Sequence, residues 1–169
     1  MNKSKTKTIS LTQGKFAIVD AADFEELSLW KWCARSIKHL WYACRSVRDN
    51  DGKRKTVFLH RAILDAPGEM EVDHVNGNGL DNRRDNLRLA TRTQNNHNRR
   101  IGTDNRSGFN GVSWSNTYHK WRATIGINGK RLHVGYYDDP IKAAVGRDLA
   151  AIKHYGEFAC LNFPGGRYA

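Results

Sequence analysis

The chain has 169 residues, with 28 Lys and Arg against 17 Asp and Glu and a formal net charge of +11. Mean hydropathy is −0.70, and no run reaches the roughly 18 apolar residues that a membrane-crossing helix needs, so no membrane partner is expected. Positive charge spread along the whole chain points to a polyanion, with nucleic acid ahead of an anionic surface.

Residues 1–10 are rich in lysine and threonine and have no apolar core after them. They read as a basic, poorly ordered arm and not as a signal peptide, and a cytoplasmic location is expected. Residues 16–19 then read as a strand and 23–27 as a short helix. Two strand-like runs, 40–47 and 55–60, flank Asp49, Asn50, Asp51 and Gly52, a strong turn signal. Trp30, Trp32 and Trp41 are expected in a core. Cys33, Cys44 and Cys160 form no C-x-x-C pair, which argues against a structural zinc and against a secreted disulfide framework.

Residues 71–75 read as a short strand, Asn76 to Gly79 as a glycine-rich turn, and 87–90 as a second strand. A helix follows, because Thr91 and Gln94 spell a capping box in which each side chain satisfies a backbone donor at a helix start. Asn95 falls in its first turns. Residues 101–107 are polar and glycine-punctuated, a linker. Beyond it, 111–115, 121–127 and 131–137 read as strands, with Asn128 and Gly129 as a hairpin turn. Asp139 caps a helix with Pro140 at its first position. Ile141, Ala144, Val145, Leu149 and Ile152 form the stripe expected to face the sheet, and Gly156 ends the helix.

The densest chemistry lies between Val72 and Asn98, V-D-H-V-N-G-N-G-L-D-N-R-R-D-N-L-R-L-A-T-R-T-Q-N-N-H-N. An acid and an imidazole, Asp73 and His74, sit side by side, with amides following at Asn86 and Asn95. Six arginines fall between Arg83 and Arg100 against one acid, Asp85. A neutral imidazole can take a proton from water near physiological pH, while Asp73 and Asn95 offer the hard oxygens that suit Mg²⁺ or Mn²⁺.

This stretch resembles the HNH endonucleases, and among them the phage and intron-encoded homing type, in which the middle and last motif positions are often asparagine. The resemblance implies a ββα-metal nuclease fold that hydrolyses duplex DNA with one divalent ion. It implies His74 and Asn86 as catalytic residues, with Asn86 fixing the loop behind His74, and Asp73 and Asn95 as metal ligands. Residues 11–64, with L-H-R-A-I-L, look like the region that precedes the motif in that family. The 107–164 segment, with F-N-G-V-S-W, K-W-R-A-T-I, R-L-H-V-G-Y-Y-D and L-N-F-P, is similar to the ethylene-response-factor (Apetala-two) DNA-binding domain, in which a three-stranded sheet enters the major groove.

The expected fold is α+β. A small antiparallel N-terminal unit leads into the ββα segment within 1–100, and a linker at 101–107 precedes a three-stranded sheet on one helix at 108–169. Candidate DNA contacts are His60, Arg61, Arg83, Arg84, Arg92, Arg99 and Arg100 in the first part and Trp114, Lys120, Arg122, Arg131 and His133 in the second. The expected function is a site-specific DNA endonuclease or nickase, acting on duplex DNA as a monomer. The rival readings are a non-catalytic DNA-binding regulator on a nuclease-like scaffold, and an RNA-binding protein that would prefer single strands and base stacking.

Overall fold

In the computed structural model, residues 5–97 and 105–165 are described. The chain divides into two compact units, Met1–Asn95 and Asn96–Ala169. The first mixes small antiparallel sheets with short helices, and the second sets one three-stranded antiparallel sheet against a 16-residue helix.

The first unit opens with a hairpin of β1 (Thr6–Ser10) and β2 (Phe16–Asp20), paired antiparallel from Thr6 opposite Asp20 to Ser10 opposite Phe16. This corrects the expectation of a loose arm over 1–10 for Thr6–Ser10. Thr6, Thr8 and Ile9 are β-branched residues suited to a pleated strand. Ile9 is buried, while the Lys7 ammonium reaches Glu25 at 2.9 Å and lies over the Phe24 ring. Helix α1 (Ala21–Ser28) follows directly. A three-stranded sheet then runs in the order β3 (Cys33–Ile37), β4 (Leu40–Arg48), β5 (Arg54–Phe58). The turn between β4 and β5 forms because the Asp49 carboxylate accepts from the Asp51 and Lys53 amides. The run expected to be strand through His60 stops at Phe58, and α2 (Leu59–Leu64) begins there and buries Leu59, His60 and Ile63.

The β-ribbon of β6 (Glu71–His74) and β7 (Leu87–Ala90) comes next, followed by α3 (Arg92–His97). The capping box forms reciprocally. The Thr91 amide donates to Gln94 Oε1 at 2.8 Å, and the Gln94 amide to Thr91 Oγ1 at 3.2 Å. One apolar core joins the whole unit, with Val19 of β2, Leu27 of α1, Trp32, Ala43 of β4 and Leu59 of α2 in the same cluster as Val72 of β6 and Leu87 of β7. Of the three tryptophans expected in a core, Trp32 is buried, whereas Trp30 is half exposed beneath the Arg45 guanidinium.

The second unit is a meander in the order β10 (Lys130–Tyr137), β9 (Lys120–Ile127), β8 (Val112–Ser115), with α4 (Pro140–Tyr155) on one face. Asn128 and Gly129 both have positive φ, 49° and 76°, the requirement of the tight turn that matches strand twist. Asp139 caps α4 by accepting from the Lys142 amide at 2.8 Å. The face of α4 turned to the core shares Ala144 with the expected stripe and otherwise differs from it. Ala143, Ala144, Arg147, Asp148 and Ala151 are buried, and Ile141, Leu149 and Ile152 are exposed. Alanines let the helix lie close against the Val112 and Ala123 floor, which bulkier aliphatics would lift away. The fully buried Asp148 carboxylate accepts from the Arg147 guanidinium, the Asn162 amide group and the Phe163 backbone, which ties the C-terminal segment to the helix.

No helix among the described residues is long and apolar enough to cross a membrane.

Candidate functional site

Side chains alternate along β6, so Val72 and His74 turn to the core face of the ribbon and Glu71 and Asp73 to the other. Register places Asp73 opposite Arg88 and His74 opposite Leu87. Arg88 donates to Asp73 Oδ2 from Nε at 2.8 Å and from Nη2 at 2.6 Å. The pair is largely buried, with side-chain exposures of 15% for Arg88 and 5% for Asp73. Helix α3 reaches the same face, where Asn95 Nδ2 donates to Glu71 Oε2 at 2.5 Å. The structure therefore brings Asp73, Glu71 and Asn95 to one side of the strand, with His74 at its end on the other.

The connection from β6 to β7 is held by amides. Asn86 is buried; its Oδ1 accepts from the Asn76 backbone at 2.9 Å, and its Nδ2 donates to the Asp81 carbonyl at 2.7 Å and to Asn76 Oδ1 at 3.0 Å. It ties the loop and its nearest groups are not those of an ion site. The Asp81 carboxylate accepts from Asn76 and twice from Arg83, and the Arg83 guanidinium foremost holds it below the usual carboxylate range. Strand β2 pins the loop from outside: Ile18 donates to the Leu80 carbonyl at 2.8 Å and its carbonyl accepts from Asn82 at 2.7 Å, while Asp20 accepts from the Arg84 amide at 2.8 Å. At Gly79 a Cβ would stand 2.5 Å from the Trp41 carbonyl and 2.6 Å from the Tyr42 ring, so only glycine lets the loop lie this close to β4.

The His74 ring is 5% exposed. Its Nε2 lies 3.4 Å from Asn82 Oδ1, the His60 ring meets it edge-on at 5.0 Å, and Tyr42 lies 5.9 Å away. His60 in turn stacks on Phe58 at 5.4 Å. Burial lowers the His74 pKa, opposed by the Asn82 bond and by the Asp73 and Asp81 charges. His60 falls to about 3, through burial first and then its neighbours His74 and Arg61. Both rings are neutral at pH 7. Burial, and then the Asp73 charge, pushes the Tyr42 hydroxyl up.

The other expected contacts fall into distinct groups. His60 is 7% exposed and lies behind His74 instead of at the surface. The Arg61 guanidinium donates to the carbonyls of Met70, Ala66 and Pro67, closing the loop before β6. Arg83 and Arg84 are held by Asp81 and Asp23, with side chains 42% and 53% exposed. Arg92 is exposed at the start of α3, and Arg99 and Arg100 lie outside the described residues. In the second unit, register aligns Arg122 with Ser113 and Tyr136, His133 with Thr124, and Lys120 with Ser115. Together with Arg131, opposite Gly126, these share the sheet face away from α4. Trp114 is opposite Trp121 and in phase with Val112, on the helix side, with the two indoles 5.3 Å apart. The outer face also carries Tyr136, in ring contact with Tyr118 at 4.4 Å and with His133 at 4.5 Å. Sequence reasoning missed these two tyrosines, although strand alternation from His133 pointed to that face.

Residues 65–97, which contain this ribbon and helix, match the HNH endonuclease family profile. The chain is also 32% identical over 145 residues to an uncharacterized HNH endonuclease of Acanthamoeba polyphaga mimivirus, an alignment spanning 82% of this chain and 74% of that protein. The chain belongs to the HNH endonuclease family. A shorter similarity links it to Protein 3.8 of Escherichia phage T7, 42% identical over 60 residues, spanning 36% of this chain and 50% of that protein. The chain thus covers half the length of the phage relative. Within this HNH chain, Tyr42, Glu71, Asn82 and Arg88 surround the motif residues without having been anticipated. For Arg88 a signal existed in the sequence, since a residue fifteen positions past Asp73 becomes its cross-strand neighbour once the β6–β7 register is fixed.

Proposed function

We propose that this HNH protein is a site-specific duplex DNA endonuclease or nickase of the homing type. In this reading β6, β7 and α3 form a ββα-metal centre within residues 1–100, and the sheet of residues 108–169 is an ethylene-response-factor-like DNA-binding unit joined through 101–107. The observation that carries the proposal is the placement of His74: an imidazole at the end of β6, packed against His60 and Tyr42, one residue from a carboxylate, with its pKa lowered by burial. Such a ring accepts a proton from water without first losing one.

The family implies a divalent cation, and the donor set fits one. Asn95 spends its Nδ2 on Glu71, which leaves its amide oxygen as the donor atom, and Asp73 adds a carboxylate on the same strand face. Hard oxygens of this kind suit Mg²⁺ or Mn²⁺. A bound ion supplies charge stabilisation at the scissile phosphate and the departing 3′ oxygen. Among the described residues no three His, Cys, Asp or Glu side chains gather as a ready-made cage, and the Arg88 cation already sits on Asp73. Both features favour ion and DNA phosphate arriving together, since phosphate charge offsets the repulsion between guanidinium and metal.

The chain's own groups do the rest. His74 removes a proton from the attacking water as the new P–O bond forms and the bond to the 3′ oxygen breaks. Asn86 keeps the loop behind it rigid through its hydrogen bonds to Asn76 and Asp81. Arg92, with Arg99 and Arg100, clamps flanking phosphates, and the exposed faces of Arg83 and Arg84 extend that field. Lys120, Arg122, Arg131 and His133 lay the outer sheet face on the duplex, and the protein acts as a monomer.

Incubating supercoiled plasmid with the protein and Mg²⁺ tests the proposal. Nicked or linear product that disappears with His74→Ala is expected. Retained duplex binding with no cleavage by the wild type would replace it with a DNA-binding regulator.

A further inference from the structure

Asn82 is the one fully buried amide beside the candidate base, with 0% exposure, and no feature of the sequence assigned it a role. Its backbone is templated by β2, because Asn82 donates to the Ile18 carbonyl at 2.7 Å and Asp81 bridges to Ile18. That pairing sends the side chain inward. Its Oδ1 faces His74 Nε2 at 3.4 Å, while its Nδ2 is buried with no partner among the described atoms. A fully buried amide with one end unsatisfied is uncommon in a native fold and calls for a reason.

The reason lies in what a carbonyl oxygen demands of an imidazole. An oxygen acceptor can bond only to a ring nitrogen that carries hydrogen, and a neutral histidine has one such nitrogen. With Nε2–H directed at Asn82, the lone pair resides on Nδ1. The ring has little freedom to exchange the two nitrogens by turning over, since His60 and Tyr42 pack against it. We propose that Asn82 is a positioning residue that selects the Nε2–H tautomer of His74 and so designates Nδ1 as the atom that takes the proton. This rests on the reading of His74 as general base. It extends that reading by tying the N-terminal β2 strand, through the Asn82 backbone, to the protonation pattern of the site.

The test is a long-range ¹H–¹⁵N correlation spectrum of the full-length ¹⁵N-labelled protein at pH 8, where histidine is neutral at its ordinary pKa. His74 signals are assigned by their loss in His74→Gln. The wild type is expected to show His74 as a single Nε2–H tautomer. Asn82→Asp keeps an oxygen acceptor and should keep that tautomer, whereas Asn82→Ala should give averaged nitrogen signals and a kcat for nicking lower by about 10- to 100-fold with KM unchanged, by analogy with histidines at metal sites that lose an orienting hydrogen-bond partner. A wild-type His74 protonated at Nδ1, or an Asn82→Ala spectrum that overlays the wild type, overturns the proposal. The wild-type and Asn82→Asp spectra decide it even if Asn82→Ala does not fold. Because the tautomer is read without cleavage, absence of nicking by the wild type would count against the endonuclease reading alone.

Discussion

Acid should unfold this protein through His60. The ring is 7% exposed, stacks on Phe58, and has its pKa lowered from 6.5 to about 3, chiefly by burial. In the unfolded chain the same ring protonates near 6.5, so below that pH the unfolded state binds a proton that the folded state refuses. Stability present above pH 6.5 is therefore lost as pH falls toward 3. At about 1.36 kcal/mol per pKa unit, the loss from this residue reaches about 2 kcal/mol at pH 5 and about 5 kcal/mol once the full shift is traversed. His74 shifts in the same direction and steepens the trend. Urea unfolding followed by tryptophan fluorescence at about pH 7.5 and pH 5 measures it. Wild type should lose about 2 kcal/mol more than His60→Gln between those pH values, because glutamine does not titrate. Equal losses in the two proteins would refute the assignment of a buried, neutral His60.

Three further outcomes follow from the same geometry. Arg88→Ala removes the guanidinium that donates twice to the Asp73 carboxylate, nearly buried at 5% side-chain exposure, and should lower the unfolding free energy by about 3–5 kcal/mol at pH 7; a change under 1 kcal/mol, by roughly the measure of an exposed pair, would mean that solvent reaches the pair freely. Gly79→Ala forces a methyl against the Trp41 carbonyl and the Tyr42 ring, so thermal or urea unfolding should register a loss of about 1–3 kcal/mol. Lys120→Ala, Arg122→Ala and Arg131→Ala should each reduce the salt slope of log K for duplex binding by about 0.9, as measured by fluorescence anisotropy, whereas Trp114→Ala, on the helix side of the sheet, should leave the slope unchanged.

The sequence was most legible where structure is decided locally. The Thr91 and Gln94 capping box, the Asn128 and Gly129 turn and the Asp139 cap each depend on residues within four positions of one another, and each forms. The acid and two amides of the motif could be read for the same reason, since their spacing within one ribbon and helix is fixed by strand and helix geometry. What escaped were contacts between distant segments. Arg84 reaches back 64 residues to Asp20, and the Tyr42 and His60 rings meet His74, with Phe58 stacked behind His60, only after a sheet and a helix are assembled around it. His60 was read as a surface contact because a histidine next to an arginine gives no local sign of burial. On α4 two apolar stripes overlap, and periodicity cannot say whether the sheet prefers the larger side chains or the alanines. Close approach selects the alanines.

The stretch shared with the family profile, residues 65–97, is not self-sufficient. Val72 and Leu87 rest on a hydrophobic cluster supplied by earlier segments, the loop before β7 is zipped to β2, and aromatic side chains from β4 and β5 stand against His74 and its partner His60. Recombination that exchanged only the motif segment would separate the ribbon from its support. Viable exchanges should carry everything from Thr6 onward as one cassette, so that the short motif travels with the much longer scaffold that holds it.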